Sequence, residues 1–376
     1  MAFKRTILNA VSNSLSGTLG LYLMRKYALN FTLLLLGLLG IVYLFDVVEL
    51  LRRGGKLGVP ATLILQMGLL KLPDVGQQIF PFVILFSAMF TFWQLSKRHE
   101  LVVMRSAGLS VWQFMMPIAF VALIIGVLHM SAINPFGSLL MKKFEGMEAQ
   151  HLKKQSSVIS LSNQGLWLRQ ENEDGSMAIL HAGAIQMPEW GLKNVIVFFF
   201  EEGFVFKRRI DAPSAVLDKG EWRFNNAVSN EPQRAPEKSD FILMATDLTI
   251  DEIEESFSDP QTISFWELPN FIRVMQQTGF DARPLQVHFQ KLLSMPLLFL
   301  AMVFLAAAVS LRPPRKSGGL LLVLVGISLG FVVFFMSNFL QALGASSQIP
   351  TFVAAWFPSI ITFLLGIGAI MTLEDG

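Results

Sequence analysis

The chain has 376 residues, of which 53% are hydrophobic, and a formal net charge of only +2. With charge so nearly balanced, no nucleic-acid footprint is visible. Cysteine is absent, which excludes disulfides, thiol nucleophiles and Cys-ligated metals while permitting an oxidising compartment without requiring one.

In chain order, the first apolar run is Tyr27 to Leu51, rich in Leu, Phe, Ile and Val. It is preceded by Lys4, Arg5, Arg25 and Lys26, so the N-terminus resembles a signal peptide. The run is too long for one, and no small-residue cleavage site precedes Asp46, so a retained anchor is expected. Ile64 to Leu95 follows, interrupted by Pro73 and Pro81, and then Trp112 to Ile133. After a polar stretch come Leu292 to Leu311, Leu320 to Leu343 and Phe352 to Leu373. Each run reaches or approaches the roughly 20 residues that cross about 30 Å of hydrocarbon at about 1.5 Å per residue. Buried helices of a soluble protein rarely run so long without charge. The expected fold class is therefore membrane α-helical, with six transmembrane helices and one inserted domain.

Lys and Arg in the short loops set the orientation. The N-terminal cluster, the loop with Lys97, Arg98 and Arg105, and the loop with Arg312, Arg315 and Lys316 share one side, the expected cytoplasm. The loop Gln341 to Thr351 is uncharged, as the far side should be. Arg52, Arg53 and Lys56 disagree, because they follow the first span on that far side. About 22 of the 28 acidic residues lie between Phe136 and Arg283, against about 15 of the 30 basic ones, so the insert is acidic and the membrane part basic.

The insert reads as strands. Gly165 to Gln170, Met177 to Ile185, Leu192 to Phe200, Phe204 to Ile210, Trp222 to Ala227 and Phe241 to Leu248 are short, β-branched and aromatic, and separated by turns such as Glu173-Asp174-Gly175. An antiparallel sandwich or β-jelly-roll is expected. Val195 to Phe200 is apolar on both faces, which suits either a core strand or an internal groove for acyl chains. From Ile263 to Gln277, apolar residues recur at helical spacing, and a connecting amphipathic helix is expected. The resulting domains are 1–135, with spans one to three and a short helix near 97–108; 136–284, the β domain and its connecting helix; and 285–376, spans four to six.

Catalytic signals are thin. Gly54-Gly55-Lys56 is followed by Leu57, so neither the spacing nor the hydroxyl of a phosphate-binding loop is present, and the chain is not expected to hydrolyse ATP. The five histidines form no metal-binding pair, and His129 is read as the only one inside a span. Asp46, Glu49 and Asp74 are placed near span ends within reach of water, which disfavours a proton-coupled secondary transporter.

The loop from Ser96 to Ser110 carries an apolar stripe of Leu101, Met104 and Leu109, flanked by Arg98, Glu100 and Arg105 and ended by Gly108. Such a helix suits a lipid interface, or a coupling helix seated in an ATPase groove. Several motifs carry a resemblance. Leu72-Pro73-Asp74 through Phe80-Pro81, running into Lys97-Arg98-His99-Glu100-Leu101-Val102-Val103-Met104-Arg105-Ser106-Ala107-Gly108, resembles the second span and coupling helix of the lipopolysaccharide-export permeases LptF and LptG. Leu51-Arg52-Arg53-Gly54-Gly55 and Asn134-Pro135-Phe136-Gly137 are similar too, and the six-span layout covers essentially the whole chain. The basic pair soon after Phe45-Asp46 is more similar to the LptG branch.

The resemblance implies an ABC-transporter permease that pairs with an LptF-like permease and binds two LptB-like ATPase subunits. It would draw lipopolysaccharide from the outer leaflet of the bacterial inner membrane toward LptC and LptA, its β-jelly-roll lying in the periplasm. No cofactor is expected in this chain, ATP and magnesium belonging to the partner ATPase. It further implies that Arg98, Glu100, Leu101, Met104 and Arg105 form the ATPase-coupling site. Arg52, Arg53, Lys56 and Lys142 would bind lipid A phosphates, for which Arg forks are suited. The plainer reading of Arg52 and Arg53 is that they balance Asp46 and Glu49 or snorkel to headgroups. A lipoprotein-releasing or macrolide-exporting permease is an alternative, although such permeases carry their large domain after the first of four spans. A membrane scaffold without transport is the other.

Overall fold

The computed structural model describes residues 17–153, 157–162, 165–171, 176–186, 191–201, 205–218, 220–232, 234–246, 260–278, 281–311 and 318–374. Lys4, Arg5, Arg312, Arg315 and Lys316, used above for orientation, lie outside these residues, as do Glu173-Asp174-Gly175, Phe204, Asp247 and Leu248. The chain divides into two compact units. One is helical and comprises the chain through Phe144, Ser264–Trp266 and the residues from Gln286 onward. The other, Glu145–Ile263 with Glu267–Leu285, contains the sheet.

The helical unit has α1 (Thr18–Gly54), α2 (Ala61–Lys97), the short α3 (Glu100–Ser106), α4 (Val111–Leu128), and α5 (Asn134–Glu148), which carries the chain toward the second unit. Past the sheet and the connecting α6 (Leu268–Thr278) come α7 (Arg283–Ser310), α8 (Gly318–Ala345) and α9 (Thr351–Glu374). Among the described residues, six helical stretches are long and apolar enough to cross a membrane, and they match the six expected spans. Their packing differs sharply. In the most apolar window of α7, 67% of the residues are buried inside the chain, against 11% in α1 and 17% in α8. Those two helices therefore present apolar surface that the described residues do not cover.

The third span does not end at Ile133. It passes through a π-helical turn, His129–Ile133, and continues as α5. The cause is Pro135, whose ring would clash with the carbonyl of Ser131 four residues earlier. The wider turn lets Asn134 N–H donate to His129 O, while Ser131 O accepts instead from Trp266 Nε1 at 3.0 Å. Lys142 accordingly lies on a continuous helix. The connecting helix also differs from expectation, starting at Leu268 rather than Ile263. An earlier start would put Pro269 in the helix interior, where it has no N–H to donate; at the first turn it is tolerated. Ser264–Trp266 packs instead in the helical unit, with Phe265 stacked on Phe289 at 5.4 Å.

The sheet is antiparallel, as expected, and has seven strands: β1 (Ser157–Ser162), β2 (Gly165–Glu171), β3 (Met177–Gln186), β4 (Gly191–Glu201), β5 (Val205–Asp218), β6 (Glu221–Asn230) and β7 (Glu237–Ala245). The strands pair in sequence order, β1 through β7, as one meander. Gln170 on β2 donates through Nε2 to Ala245 O on β7 at 3.2 Å, which curls the sheet so that its second and last strands meet. Leu168, Leu180, Val197 and Ile210 stand side by side on the inner face, as do Leu192, Ala215 and Phe224.

A crease crosses this sheet. Gly183, Asn194, Pro213, Asn226 and Asp240 occupy one transverse row in which ladder pairing lapses from β3 to β7. Pro213 has no N–H to give, and its neighbours Asn194 and Asn226 adopt φ of 51° and 49°, a region Asn tolerates. Burial changes parity there: Val195 and Val197 give way to Leu192, Ile210 and Ala212 to Ala215 and Leu217, and Ala227 to Phe224 and Trp222. The strands thus bend while keeping one face inward. In the doubly apolar run of β4, Val195 and Val197 point into the core, and Arg209 and Arg208 lie over the rings of Phe198 and Phe199 at 5.7 and 4.4 Å.

Candidate coupling and lipid-binding sites

The short helix α3 is set by local chemistry at both ends. Arg98 N–H and His99 N–H close the end of α2 on Gln94 O and Ser96 O, and His99 then turns the chain with φ of 59°. At the other end Gly108, with φ of 85°, donates to Arg105 O and Leu109 to Met104 O, closing the helix as Gly does best. Ser110 then caps α4 by accepting from Gln113 N–H while Gln113 Oε1 accepts from Ser110 N–H, a capping box.

The five residues expected to couple to an ATPase separate into two groups. Leu101 and Met104 are 8% and 6% exposed and belong to the main hydrophobic cluster of the helical unit. They anchor α3 and are not available as a docking surface. Arg98 and Arg105 are exposed, and Glu100 is partly so. The exposed apolar residues are Val102 and Val103, at 62% and 65%, which the sequence reading passed over because it took the apolar stripe as the docking face. On a one-sided amphipathic helix that stripe faces the protein's own core.

Glu100 is held from α1. Tyr22 Oη donates to Glu100 Oε2 at 2.9 Å, and Lys26 Nζ lies 3.3 and 3.4 Å from Oε1 and Oε2. One turn further along α1, Asn30 Nδ2 donates to Thr91 Oγ1 at 2.9 Å inside the helix pair.

At the opposite end of α1, Arg52 and Lys56 are exposed and Arg53 is half-buried. Asp46, one of the two carboxylates expected to balance them, is paired with Lys71 of α2 at 3.2 Å. Lys71 Nζ also lies 6.0 Å from the ring centre of Phe144 on α5, two residues from the exposed Lys142. One lysine therefore links α1, α2 and α5 beside the basic cluster. Among the described residues, the cationic groups of Arg52 and Lys56 face solvent.

Across residues 21–372 the chain matches the family described as lipopolysaccharide export system permease LptF/LptG. It belongs to that family. Among its relatives, the lipopolysaccharide export system permease protein LptG of Escherichia coli (strain K12) is 24% identical over 353 residues, covering 91% of this chain and 95% of the relative. LptG of Haemophilus influenzae is 21% identical over 301 residues, covering 79% and 82%.

This LptF/LptG-family permease also has a polar interior that the sequence reading misplaced. Asp74 is not at a wet span end; it is 6% exposed within α2. The fourth span begins at Arg283 instead of Leu292, supported by Pro284 in its first turn and by Arg283 N–H donating to Asp281 Oδ1 at 2.9 Å. His288 and Lys291 therefore lie within a membrane-length helix, and His129 is not the only histidine so placed. Lys291 of this helix is half-buried and lies within electrostatic reach of Asp74. The His129 ring is wedged between Phe80 and Phe299 at centroid distances of 5.0 and 5.4 Å. Asn134, 2% exposed, donates to Gln77 Oε1 at 3.1 Å and accepts from Phe265 N–H at 2.9 Å. The signal available in the sequence was the prolines: Pro73, Pro81 and Pro296 each free a carbonyl four residues back, and such carbonyls collect polar partners.

Proposed function

We propose that this permease extracts lipopolysaccharide from the inner membrane and passes it to a periplasmic bridge, driven by ATP hydrolysis in a partner subunit. The observation that carries the proposal is the two-ended design of α1. Its basic cluster, Arg52, Arg53 and Lys56, sits at one end and its contacts to the coupling helix at the other, with largely uncovered apolar surface between. That surface suits acyl chains and an LptF-like second permease, while the basic cluster and Lys142 suit the phosphates of lipid A. The uncharged outer surface of α3, Val102 and Val103, with Glu100, Arg98 and Arg105 around it, suits the groove of an LptB-like ATPase, two copies of which would serve the permease pair. LptC and LptA would receive the lipid beyond the β domain. ATP and magnesium are assigned to the ATPase, and this chain acts as a transport subunit.

The test uses the complex purified from its native membrane. Replacing Arg52 and Arg53 together by Glu should abolish photocrosslinking of lipopolysaccharide at the far end of α1 and stop export. Normal crosslinking and export in that variant would refute the phosphate assignment. Replacing Glu100 by Ala should weaken capture of the ATPase; intact capture and export would leave α3 an interfacial helix and favour the scaffold.

A further inference from the structure

The arrangement around Glu100 reaches beyond ATPase docking. Tyr22 and Lys26 stand four residues apart on α1 and so face the same side of that helix. Their side chains and Glu100 form a closed triangle. Tyr22 Oη accepts from Lys26 Nζ at 3.0 Å and donates to Glu100 Oε2 at 2.9 Å, and Lys26 Nζ reaches both carboxylate oxygens at 3.3 and 3.4 Å. The Lys26 ammonium also lies 5.2 Å from the centre of the Tyr22 ring. The side chains of Lys26 and Glu100 are 12% and 27% exposed, so the pair sits at the rim, shielded but reachable.

Glu100 is the first residue of α3, and α3 is otherwise attached through Leu101 and Met104 to the shared core. The triangle adds a directional, charged link from α3 to α1 in particular. It does not exhaust the carboxylate. Each carboxylate oxygen has about two acceptor positions, and Oε1 accepts from Lys26 alone among the bonds described. An incoming guanidinium or ammonium from an ATPase can therefore bind Glu100 without displacing Lys26.

The helix that receives this link is suited to carry a displacement. α1 is 37 residues long, or about 55 Å at 1.5 Å per residue. It contains no proline, whereas α2, α4, α7 and α9 each contain at least one. Its last turn carries Arg52 and Arg53.

We propose that Lys26 and Tyr22 are positioning residues for energy coupling: they fasten the coupling helix to α1 through Glu100, so that ATPase-driven movement of α3 is delivered along α1 to the basic cluster at its other end. This rests on the reading of α3 as the ATPase-coupling helix. Lys26 and Tyr22 do not themselves contact the ATPase or the lipid.

The test is lipopolysaccharide extracted per ATP hydrolysed, measured with the intact complex purified through this chain and reconstituted in proteoliposomes. Lys26→Met should retain the co-purifying ATPase but lower that ratio by about fivefold or more, the scale of a modest coupling free energy. Lys26→Arg, which keeps the charge, should restore it. Tyr22→Phe, which keeps the ring and removes the hydroxyl, should lower the ratio in the same direction. An unchanged ratio in Lys26→Met, failure of Lys26→Arg to restore it, or loss of the ATPase from the Lys26→Met complex would each overturn the proposal. Glu100→Gln separates the two levels. A normal Lys26→Met beside a defective Glu100→Gln refutes the fastening alone, whereas ATPase capture and extraction at wild-type levels in Glu100→Gln refute the coupling reading beneath it.

Discussion

Gly126→Ala tests a close backbone contact between α4 and α7. A Cβ at Gly126 of α4 would stand 2.6 Å from Pro296 Cα and 3.2 Å from both the Cβ and N of that residue on α7. Unbonded carbons rest at about 3.5–4.0 Å, so the two helices would have to part by about 1 Å. The obstacle is backbone, and no side-chain rotation relieves it. Overpacking of this kind costs about 1–3 kcal/mol, against a gain of about 1 kcal/mol when Ala replaces Gly in a helix. The expected net effect is a loss of up to about 2 kcal/mol. It should be felt one turn away, where His129 is gripped by Phe80 and by Phe299, three residues beyond Pro296. Gly37→Ala is the control, because nothing lies within 4 Å of a Cβ there. Thermal unfolding midpoints of the two single variants in the same detergent should diverge, Gly126→Ala falling and Gly37→Ala holding or rising. A Gly126→Ala protein as stable as Gly37→Ala would refute the tight α4–α7 contact.

Asn134→Leu keeps the side-chain size but strips the partners from Gln77 Oε1 and Phe265 N–H, at a cost of about 1–3 kcal/mol. Limited proteolysis of the intact chain should then cut near Ser264–Trp266, and an unchanged pattern would contradict the anchoring role. At His99, φ of 59° costs an L-residue about 1–2 kcal/mol. His99→Gly should therefore slow hydrogen exchange across Glu100–Ser106, and β-branched His99→Val should speed it; the reverse order would refute the turn. Trp222→Ala removes a fully buried ring from the jelly roll, costing about 3–5 kcal/mol. Proteolysis within the strands should rise sharply in the full chain, and resistance equal to the wild type would argue against that core.

Six spans and an inserted β domain were legible because each rests on a local signal, either length of apolar run or alternation bounded by turns. The errors arose where a local signal met a distant residue. The expected end of span three at Ile133 fails because sequence shows the missing N–H of Pro135 but not Trp266, which takes up the Ser131 carbonyl that Pro135 displaces. The expected start of span four at Leu292 follows a drop in hydropathy at Lys291, whose electrostatic neighbour Asp74 lies more than two hundred positions earlier. The sixfold alternation of strands gave the meander but not its crease. That depends on Asn194, Pro213 and Asn226 falling in one transverse row, a coincidence of register across three strands.

The same limit governed the site. With Asp46 and Glu49 only one and two turns from Arg52 and Arg53, local balancing was the economical reading of the basic pair. Lys71 changes the account, because it reaches Asp46 from another helix and lies against Phe144 of a third. A cation placed there neutralises Asp46 without consuming the positive charge at the end of α1. The exposed Arg52 and Lys56 then form a surplus of positive charge beside uncovered apolar surface, the combination that a phosphorylated lipid requires. If the proposed lipid site holds, Lys71→Met should weaken lipopolysaccharide crosslinking while leaving Arg52, Arg53 and Lys56 in place, because Asp46 would be left to compete for the arginines. Undiminished crosslinking in that variant would show that Asp46 exerts no hold on the cluster.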